Sequence, residues 1–199
     1  MHHSAVPHWR PLRIGCRLAP PPLGDWLADP GSLTRRLVAG CPGGFRLHLL
    51  HQSHDRPWFD EQQILALSAR RLALCREIRL LCQGHPLVFA RSIIPLVTLA
   101  ALGYRLSHLG EKSLGSLLFS RPDIHRQHME VARLVPRDRL FRSLGAIQAD
   151  SLWARRTLFS CSGHSLLVCE VFLPGLPFRL IDGSQRPVSP AISSVFFKR

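Results

Sequence analysis

Two β-hairpin patterns that echo each other constrain the fold more than any other feature of the sequence. An x-Gly pair stands at the centre of each pattern, Gln83-Gly84 in the first and Ser162-Gly163 in the second, and each pair follows a cysteine and precedes a histidine. The β-like runs that flank these turns are 75–82 and 87–94, then 156–162 and 165–173. Such turns between β-like runs are hairpin signals. We therefore predict an antiparallel sheet built from two related halves, with chance similarity of two hairpins as the alternative.

Strand alternation places charged side chains on otherwise apolar faces of this sheet. Arg76 shares a face with Ile78 and Leu80, and Glu170 shares one with Leu166 and Phe172. A buried charge needs a partner.

Two-residue turns would set Arg76 opposite Arg91 and Arg155 opposite Glu170. Two facing arginines repel unless an anion lies between them, which would indicate an anion pocket. The alternative is an ordinary Arg155–Glu170 pair, with Arg76 bound to Glu77 or to a distant acid.

The remaining segments predict helices and a few strands around the hairpins. We expect an irregular N-terminal stretch with a short strand over 12–18, and a strand over 45–50. Helical patterns lie at 25–37, 60–74, 95–103 and 106–119. The first of these is broken at Pro30-Gly31, after which Ser32 caps a second helix. Residues 121–150 fit either strands or short helices. We expect one domain over 1–178, with an arm at 1–11 and a tail at 179–199.

Charge and composition exclude several classes of protein. The chain has 199 residues, with 26 Lys+Arg against 13 Asp+Glu, and all of the basic residues but Lys112 and Lys198 are arginine. At 46% hydrophobic it is not a disordered basic tail. The longest apolar runs are interrupted, so we expect no membrane span. The arginines form no recognised nucleic-acid motif, so no nucleic-acid partner is predicted.

The cysteines and histidines indicate neither a metal centre nor a disulfide framework. The six cysteines form no CxxC pair and have no zinc-finger spacing. Residues 1–13 contain no apolar leader segment, so we expect a cytoplasmic protein with reduced, buried thiols. His48, His51 and His54 are spaced for one helix face, but surface histidines are the better interpretation of a Gly/Pro-bounded stretch.

Several short motifs, in order along 12–178, resemble the chorismate pyruvate-lyase family. The central ones are Arg76-Glu77-Ile78, Gly84-x-Pro86 and Ala90-Arg91-Ser92-Ile93-Ile94-Pro95. The next are Leu109-Gly110, Leu114-Gly115 and Leu118-Phe119. The last are Trp153-Ala-Arg155-Arg156, Ser162-Gly163 and Glu170-Val-Phe-Leu-Pro174, and Trp26-Leu27 and Ser32-Leu33-Thr34 also fit. Each motif is weak alone, and their shared order and spacing make the resemblance strong.

The resemblance implies an α+β fold with an antiparallel sheet of about six strands, helices on one side and a ligand enclosed under helical flaps. It also implies elimination of pyruvate from chorismate to give 4-hydroxybenzoate, the first step toward ubiquinone, without cofactor or metal. Arg76 would bind the ring carboxylate and Glu170 the hydroxyl-bearing end, while Leu33 and the backbone at Leu114 would touch the ligand.

Our hypothesis adds Arg91, and less directly Arg155, to offset the enolpyruvyl charge or to hold Glu170. We also expect a monomer with a small-molecule substrate. The alternative function is a small-molecule-sensing domain of the same fold that performs no chemistry.

Overall fold

The computed structural model describes residues 5–103, 106, 108–161 and 163–176. Within these residues, seven strands form one antiparallel sheet. The strands are β1 (Arg10–Pro11), β2 (Phe45–Asp55), β3 (Ala73–Cys82), β4 (His85–Pro95), β5 (Ile124–Leu134), β6 (Leu152–Cys161) and β7 (His164–Phe172). Their order across the sheet is β1-β5-β6-β7-β4-β3-β2. The prediction of about six strands is confirmed, since β1 adds only a two-residue edge. The tail at 179–199 lies outside the described residues, and the domain boundary at 178 stays a prediction.

Both predicted hairpins form, and they meet at the centre of the sheet, where β4 pairs with β7. In the first turn Gln83 and Gly84 have φ values of 50° and 81°. Positive φ at both central residues suits a tight hairpin turn, whose twist matches that of the flanking strands. Related hairpins placed side by side explain the repeated pattern in the sequence.

The helices are short and begin at recognisable signals. They are α1 (Leu12–Gly15), α2 (Leu23–Ala28), α3 (Leu33–Gly40), α4 (Phe59–Ile64), α5 (Leu96–Leu102), α6 (Leu114–Ser120) and α7 (Arg139–Arg142), with a 3-10 turn at Cys16–Leu18. The predicted break at Pro30-Gly31 separates α2 from α3, and the Ser32 hydroxyl caps α3 as predicted. The prediction of a strand over 12–18 is wrong, because this segment is helical and packs against β5.

The sheet separates two layers of core. We call the side of Arg76, Ile78 and Glu170 the flap face, and the side of Cys75, Glu77 and Arg91 the back face. Helices α2, α3, α5 and α6 bury their apolar residues on the flap face. Residues next to α4 and within α7 cover parts of the back face. None of the described helices is long and apolar enough to cross a membrane.

One bulge changes the predicted register of the first hairpin. Leu81 pairs with Pro86, but Leu80 pairs with Val88, so Leu87 is an extra residue in β4. As a result Arg76 lies opposite Ser92, and Arg91 lies opposite Glu77. The prediction that Arg76 faces Arg91 is therefore wrong, because a one-residue slip moves side chains to the other face of a strand.

The cysteine prediction is only partly right. Cys41 and Cys82 form a disulfide, which joins the C-cap of α3 to the end of β3. The antiparallel pairing of Phe45 with Cys82 brings the turn after α3 against this strand end. Cys16, Cys75 and Cys169 are reduced thiols, and the thiol of Cys161 donates to Asp123 Oδ2 at 3.2 Å. The three closely spaced histidines are exposed on β2.

Candidate active site

The flap face has a polar patch at the centre of the sheet. Along one row of paired residues lie Arg76, Ser92, Val168 and Thr157 on four successive strands. The next row contains Ile78, Ala90, Glu170 and Arg155. Arginine, glutamate and hydroxyl groups thus lie beside small and branched apolar residues. This floor can bind the polar ends of a flat molecule and pack against its ring.

Two helix starts cover this floor. Helix α3 begins at Leu33 after the cap Ser32, and α6 begins at Leu114 after the cap Ser113. Both leucines are buried and line the space above the floor. The hydroxyls of Thr34 and Ser113 lie 2.9 Å apart, so a hydrogen bond joins the two helices. Helices α3 and α6, which we call the flaps, close the site.

The cavity between floor and flaps has a volume of about 40 Å³. A buried water needs roughly 10–15 Å³ by this measure, so the space holds about three waters. Among its lining residues are Leu33, Arg76, Leu114, Arg155 and Glu170. The structure therefore brings together five of the six residues singled out in the sequence.

Arg76 is the most conspicuous group in this cavity, because it is a buried cation whose side chain is only partly satisfied. The residue is 1% exposed. Its Nη2 donates to the carbonyl oxygens of Gly110 at 2.8 Å and Lys112 at 3.0 Å. Its buried Nε and Nη1 have no hydrogen-bond partner among the described residues. Burial lowers the pKa of this guanidinium, so a bound anion would offset the cost of keeping it charged.

Glu170 is held from one side by Arg155. The Nε of Arg155 donates to Oε2 of Glu170 at 2.8 Å, and its Nη2 forms an ion pair with the same oxygen at 2.7 Å, which confirms the predicted cross-strand pair. The Nη1 of Arg155 donates to the carbonyl oxygens of Trp26, Leu27 and Asp29, at the C-terminal end of α2. All three nitrogens of Arg155 are thus engaged, and the guanidinium fixes the position of Glu170.

Arg91 is not part of this site, which corrects our sequence hypothesis. It lies on the back face and donates from Nε to Glu61 Oε1 at 2.7 Å and from Nη1 to Glu77 Oε1 at 2.7 Å. It also stacks over the Trp58 ring at 3.9 Å. Burial lowers the pKa of Arg91, but its bonds to Glu61 more than offset this and the net pKa is raised. The Leu87 bulge accounts for the error. Because of this extra residue, the β4 residues after Leu87, including Arg91, lie on the opposite face from the one that a two-residue turn predicts.

The structure adds one cavity residue that the sequence did not reveal. Arg126 of β5 lines the same space. Half of the residues in 121–150 have charged or polar side chains, and four follow one another at 125–128, so no alternation of apolar residues assigned a strand there. The pattern of apolar and polar residues could not have identified Arg126 as a cavity residue. Its pairing with Phe159 of β6 places it at the cavity.

A second cavity of about 320 Å³ lies on the back face, lined by residues that include Trp9, Trp58, Glu61 and Arg156. It is larger, but Asp60, Glu61 and Arg156 already have charged partners, and Arg139 is an exposed side chain that lies over the Trp58 ring at 4.7 Å. Arg156 bonds Glu130 at 2.6 Å and Asp60 at 3.4 Å, and Glu61 is bound to Arg91. The flap-face cavity, with a buried and partly unsatisfied arginine, is the better candidate for an anion. The described residues contain no cluster of metal-ligating side chains.

The chorismate lyase family model matches residues 12–179, which includes both hairpins and both flaps. This chain belongs to the chorismate lyase family. A probable chorismate pyruvate-lyase of Methylococcus capsulatus is 40% identical over 155 residues, covering 76% of this chain and 94% of that protein. Another from Halorhodospira halophila is 42% identical, covering 83% and 89%. One from Azoarcus sp. is 41% identical, covering 88% and 97%.

Solved structures of low sequence identity share the fold of this family member. The C-terminal domain of PhnF has a TM-score of 0.53 at 13% identity, covering 66% of this chain and 85% of that one. A GntR-family transcriptional regulator from Bacillus cereus has a TM-score of 0.52 at 13% identity, covering 66% and 93%. These likenesses show the fold alone.

Proposed function

We propose that this chain is a chorismate lyase that acts in the cavity beneath its flaps. The observation that supports this most is the pair of unpartnered nitrogens on Arg76, buried in the same cavity as Glu170. A ligand with a carboxylate at one end and a hydroxyl at the other suits these two groups. The names of the relatives point to the same chemistry.

The reaction needs no outside oxidant or nucleophile. The bond between ring carbon C3 and the ether oxygen breaks, and C4 loses its proton. The electrons of the C4–H bond form the new ring double bond, which makes the ring aromatic. The enolpyruvyl group leaves with the ether electrons and gains a proton at its methylene carbon, giving pyruvate. Aromatisation provides the driving force, so the protein contributes orientation and charge placement.

Each site residue has a role that follows from its environment. Arg76 binds the ring carboxylate through Nε and Nη1, which have no other described partner. Glu170 accepts a hydrogen bond from the 4-hydroxyl, while Arg155 holds its Oε2. Leu33 and Leu114 pack against the ring from the flaps, and the bound ligand takes the place of the cavity water. A dry cavity strengthens both polar contacts.

Entry and release require the flaps to separate. The space of about 40 Å³ is far below the roughly 300 Å³ of a typical ligand pocket. The flat anionic product satisfies Arg76 and Glu170 as the substrate does. We therefore expect slow release and product inhibition, with flap opening as the slow step.

The cellular setting belongs to the same proposal. The resemblance assigns 4-hydroxybenzoate to ubiquinone biosynthesis, and we place the protein in the cytoplasm, as a monomer. The Cys41–Cys82 disulfide is an unusual feature for that compartment, where such bonds are rare. The redox state of Cys41 and Cys82 in the cell is therefore the measurement that tests the proposed compartment.

The direct test is turnover of chorismate by the purified protein, with release of 4-hydroxybenzoate and pyruvate measured together. R76A should lose both turnover and affinity for 4-hydroxybenzoate by at least tenfold, because a charge-assisted hydrogen bond contributes about 1.5–3 kcal/mol. E170Q should lose turnover and still fold.

Matched controls come from the opposite face of the same sheet. Arg79 is on β3 but on the back face, where it donates to the Leu144 carbonyl, so R79A should retain turnover. E130Q removes a carboxylate paired with arginine away from the cavity. If the wild-type protein binds 4-hydroxybenzoate but never consumes chorismate, the chain is a sensing domain instead. Normal turnover in R76A would refute the site.

A further inference from the structure

Arg126 reaches the cavity from β5 and is held there by the loop that leads into α3. Its Nη1 donates to the Pro30 carbonyl, and its Nη2 donates to the Gly31 carbonyl at 3.2 Å. Its guanidinium lies 5.0 Å from the centroid of the Phe119 ring and 5.5 Å from that of Phe159. These contacts fix the cation at the rim of the floor, next to a flap.

The charge of Arg126 has no dedicated counter-ion in the described part of the chain. The acceptors of its hydrogen bonds are neutral carbonyls. The nearby carboxylates are engaged elsewhere, since Glu170 binds Arg155 and Asp29 binds Arg36. Its Nε is buried without a hydrogen-bond partner among the described residues. Burial, and then the charge of Arg155, lower the pKa of Arg126.

The charges that line the cavity match a dianion. Three arginines and one glutamate line it: Arg76, Arg126, Arg155 and Glu170. Arg155 and Glu170 neutralise each other, which leaves two cations with open donors. Chorismate has two carboxylates, one on the ring and one on the enolpyruvyl group. The aromatic product keeps only the first.

We propose that Arg126 binds the enolpyruvyl carboxylate of the substrate, while Arg76 binds the ring carboxylate. This inference rests on the proposed function, and it replaces the role that the sequence had suggested for Arg91. Arg126 then recognises substrate and released pyruvate but has nothing to bind on 4-hydroxybenzoate. It makes the cavity prefer the dianionic substrate over the monoanionic product, which counteracts product inhibition.

The test separates substrate affinity from product affinity in R126Q. We expect the KM for chorismate to rise about ten- to hundredfold, since one charge-assisted contact is lost. The Kd for 4-hydroxybenzoate should stay within about twofold, because the product makes no contact with Arg126. R133Q is the matched control, because Arg133 is an exposed arginine on the same strand, bonded to Ser151. If KM and Kd rise in parallel, or if neither changes, the proposal is wrong.

A second measurement needs no variant and does not depend on turnover. The wild-type protein is titrated with the dianion 3-carboxymethoxy-4-hydroxybenzoate and with its monoanionic isostere 3-carbamoylmethoxy-4-hydroxybenzoate, in which a neutral amide replaces the side-arm carboxylate. We expect the acid to bind at least tenfold more tightly, and the difference to vanish in R126Q. Equal affinities in the wild-type protein would overturn the proposal. A wild-type protein that prefers the acid but does not consume chorismate would refute only the proposed function.

Discussion

Three buried arginines of the sheet differ in what their guanidinium groups bind. The guanidinium of Arg91 binds two carboxylates, and that of Arg155 binds both Glu170 and the end of α2. The guanidinium of Arg76 has two donors without a described partner. A buried guanidinium bonded to carboxylates is a structural ion pair, and removing one partner costs several kcal/mol. One with open donors in a cavity is ready for a ligand. We therefore assign ligand binding to Arg76 and positioning of Glu170 to Arg155.

R155K tests this positioning role. Lysine retains the charge but cannot bond Glu170 and the three carbonyls of α2 at once. We expect kcat to fall about tenfold, since Glu170 loses its fixed orientation, while the Kd for 4-hydroxybenzoate changes less than threefold. R156K, a neighbouring substitution on the back face, should leave kcat unchanged. An unaltered kcat in R155K would show that the orientation of Glu170 does not depend on this contact.

At the residue scale, regular alternation of apolar residues predicted the face of a side chain, and interrupted alternation did not. Arg76, Arg155 and Glu170 lie on the flap face, as their apolar neighbours predicted. Arg91 was misplaced, because nothing in the run 87–94 reveals that Leu87 is a bulge. Arg126 was missed, because β5 is polar on both faces over much of its length.

At the scale of elements, the flaps are two short capped helices joined by few contacts. Helices α3 and α6 contact each other directly, while their buried leucines belong to different core clusters. Between them lies the hydrogen bond of Thr34 with Ser113. The sequence predicted the cap of α3 at Ser32. It did not predict the cap of α6 at Ser113, because the segment before Ser113 is irregular. A weakly joined pair of lids can open without unfolding the sheet.

T34V tests the role of this flap contact. The change keeps the shape of the side chain and removes the hydroxyl, and a hydrogen bond contributes about 1 kcal/mol. We expect the dissociation rate of 4-hydroxybenzoate to rise about fivefold, as measured by stopped-flow displacement. S116A removes a hydroxyl that bonds within α6 and should leave the rate unchanged. An unchanged rate in T34V would place the barrier to release elsewhere.

At the scale of the whole molecule, the disulfide ties a flap to the sheet. Cys41 caps the C-terminal end of α3, and Cys82 ends β3 at the first hairpin turn. The sequence could not reveal this pair, because the two cysteines are 41 residues apart and meet only through the pairing of β2 with β3. The sheet, by contrast, followed from its repeated hairpins.

Removal of this disulfide should destabilise the protein. The loop it closes corresponds to about 4 kcal/mol of unfolding free energy in the chain-entropy model. We expect C41S/C82S to unfold at lower urea concentration than the oxidised protein, and dithiothreitol to shift the wild-type curve toward that of the variant. C16S, at a free thiol, should unfold like the wild type. Six titratable thiols in freshly purified native protein would contradict the pairing.

The most direct test of the central claim is a crystal structure of the protein with 4-hydroxybenzoate. We expect the carboxylate of the product to lie on Nε and Nη1 of Arg76, and its hydroxyl to donate to Glu170, with α3 and α6 closed above the ring. Arg126 should make no contact with it. A product molecule in the back-face cavity beside Trp58, with the flap-face cavity unchanged, would contradict the account.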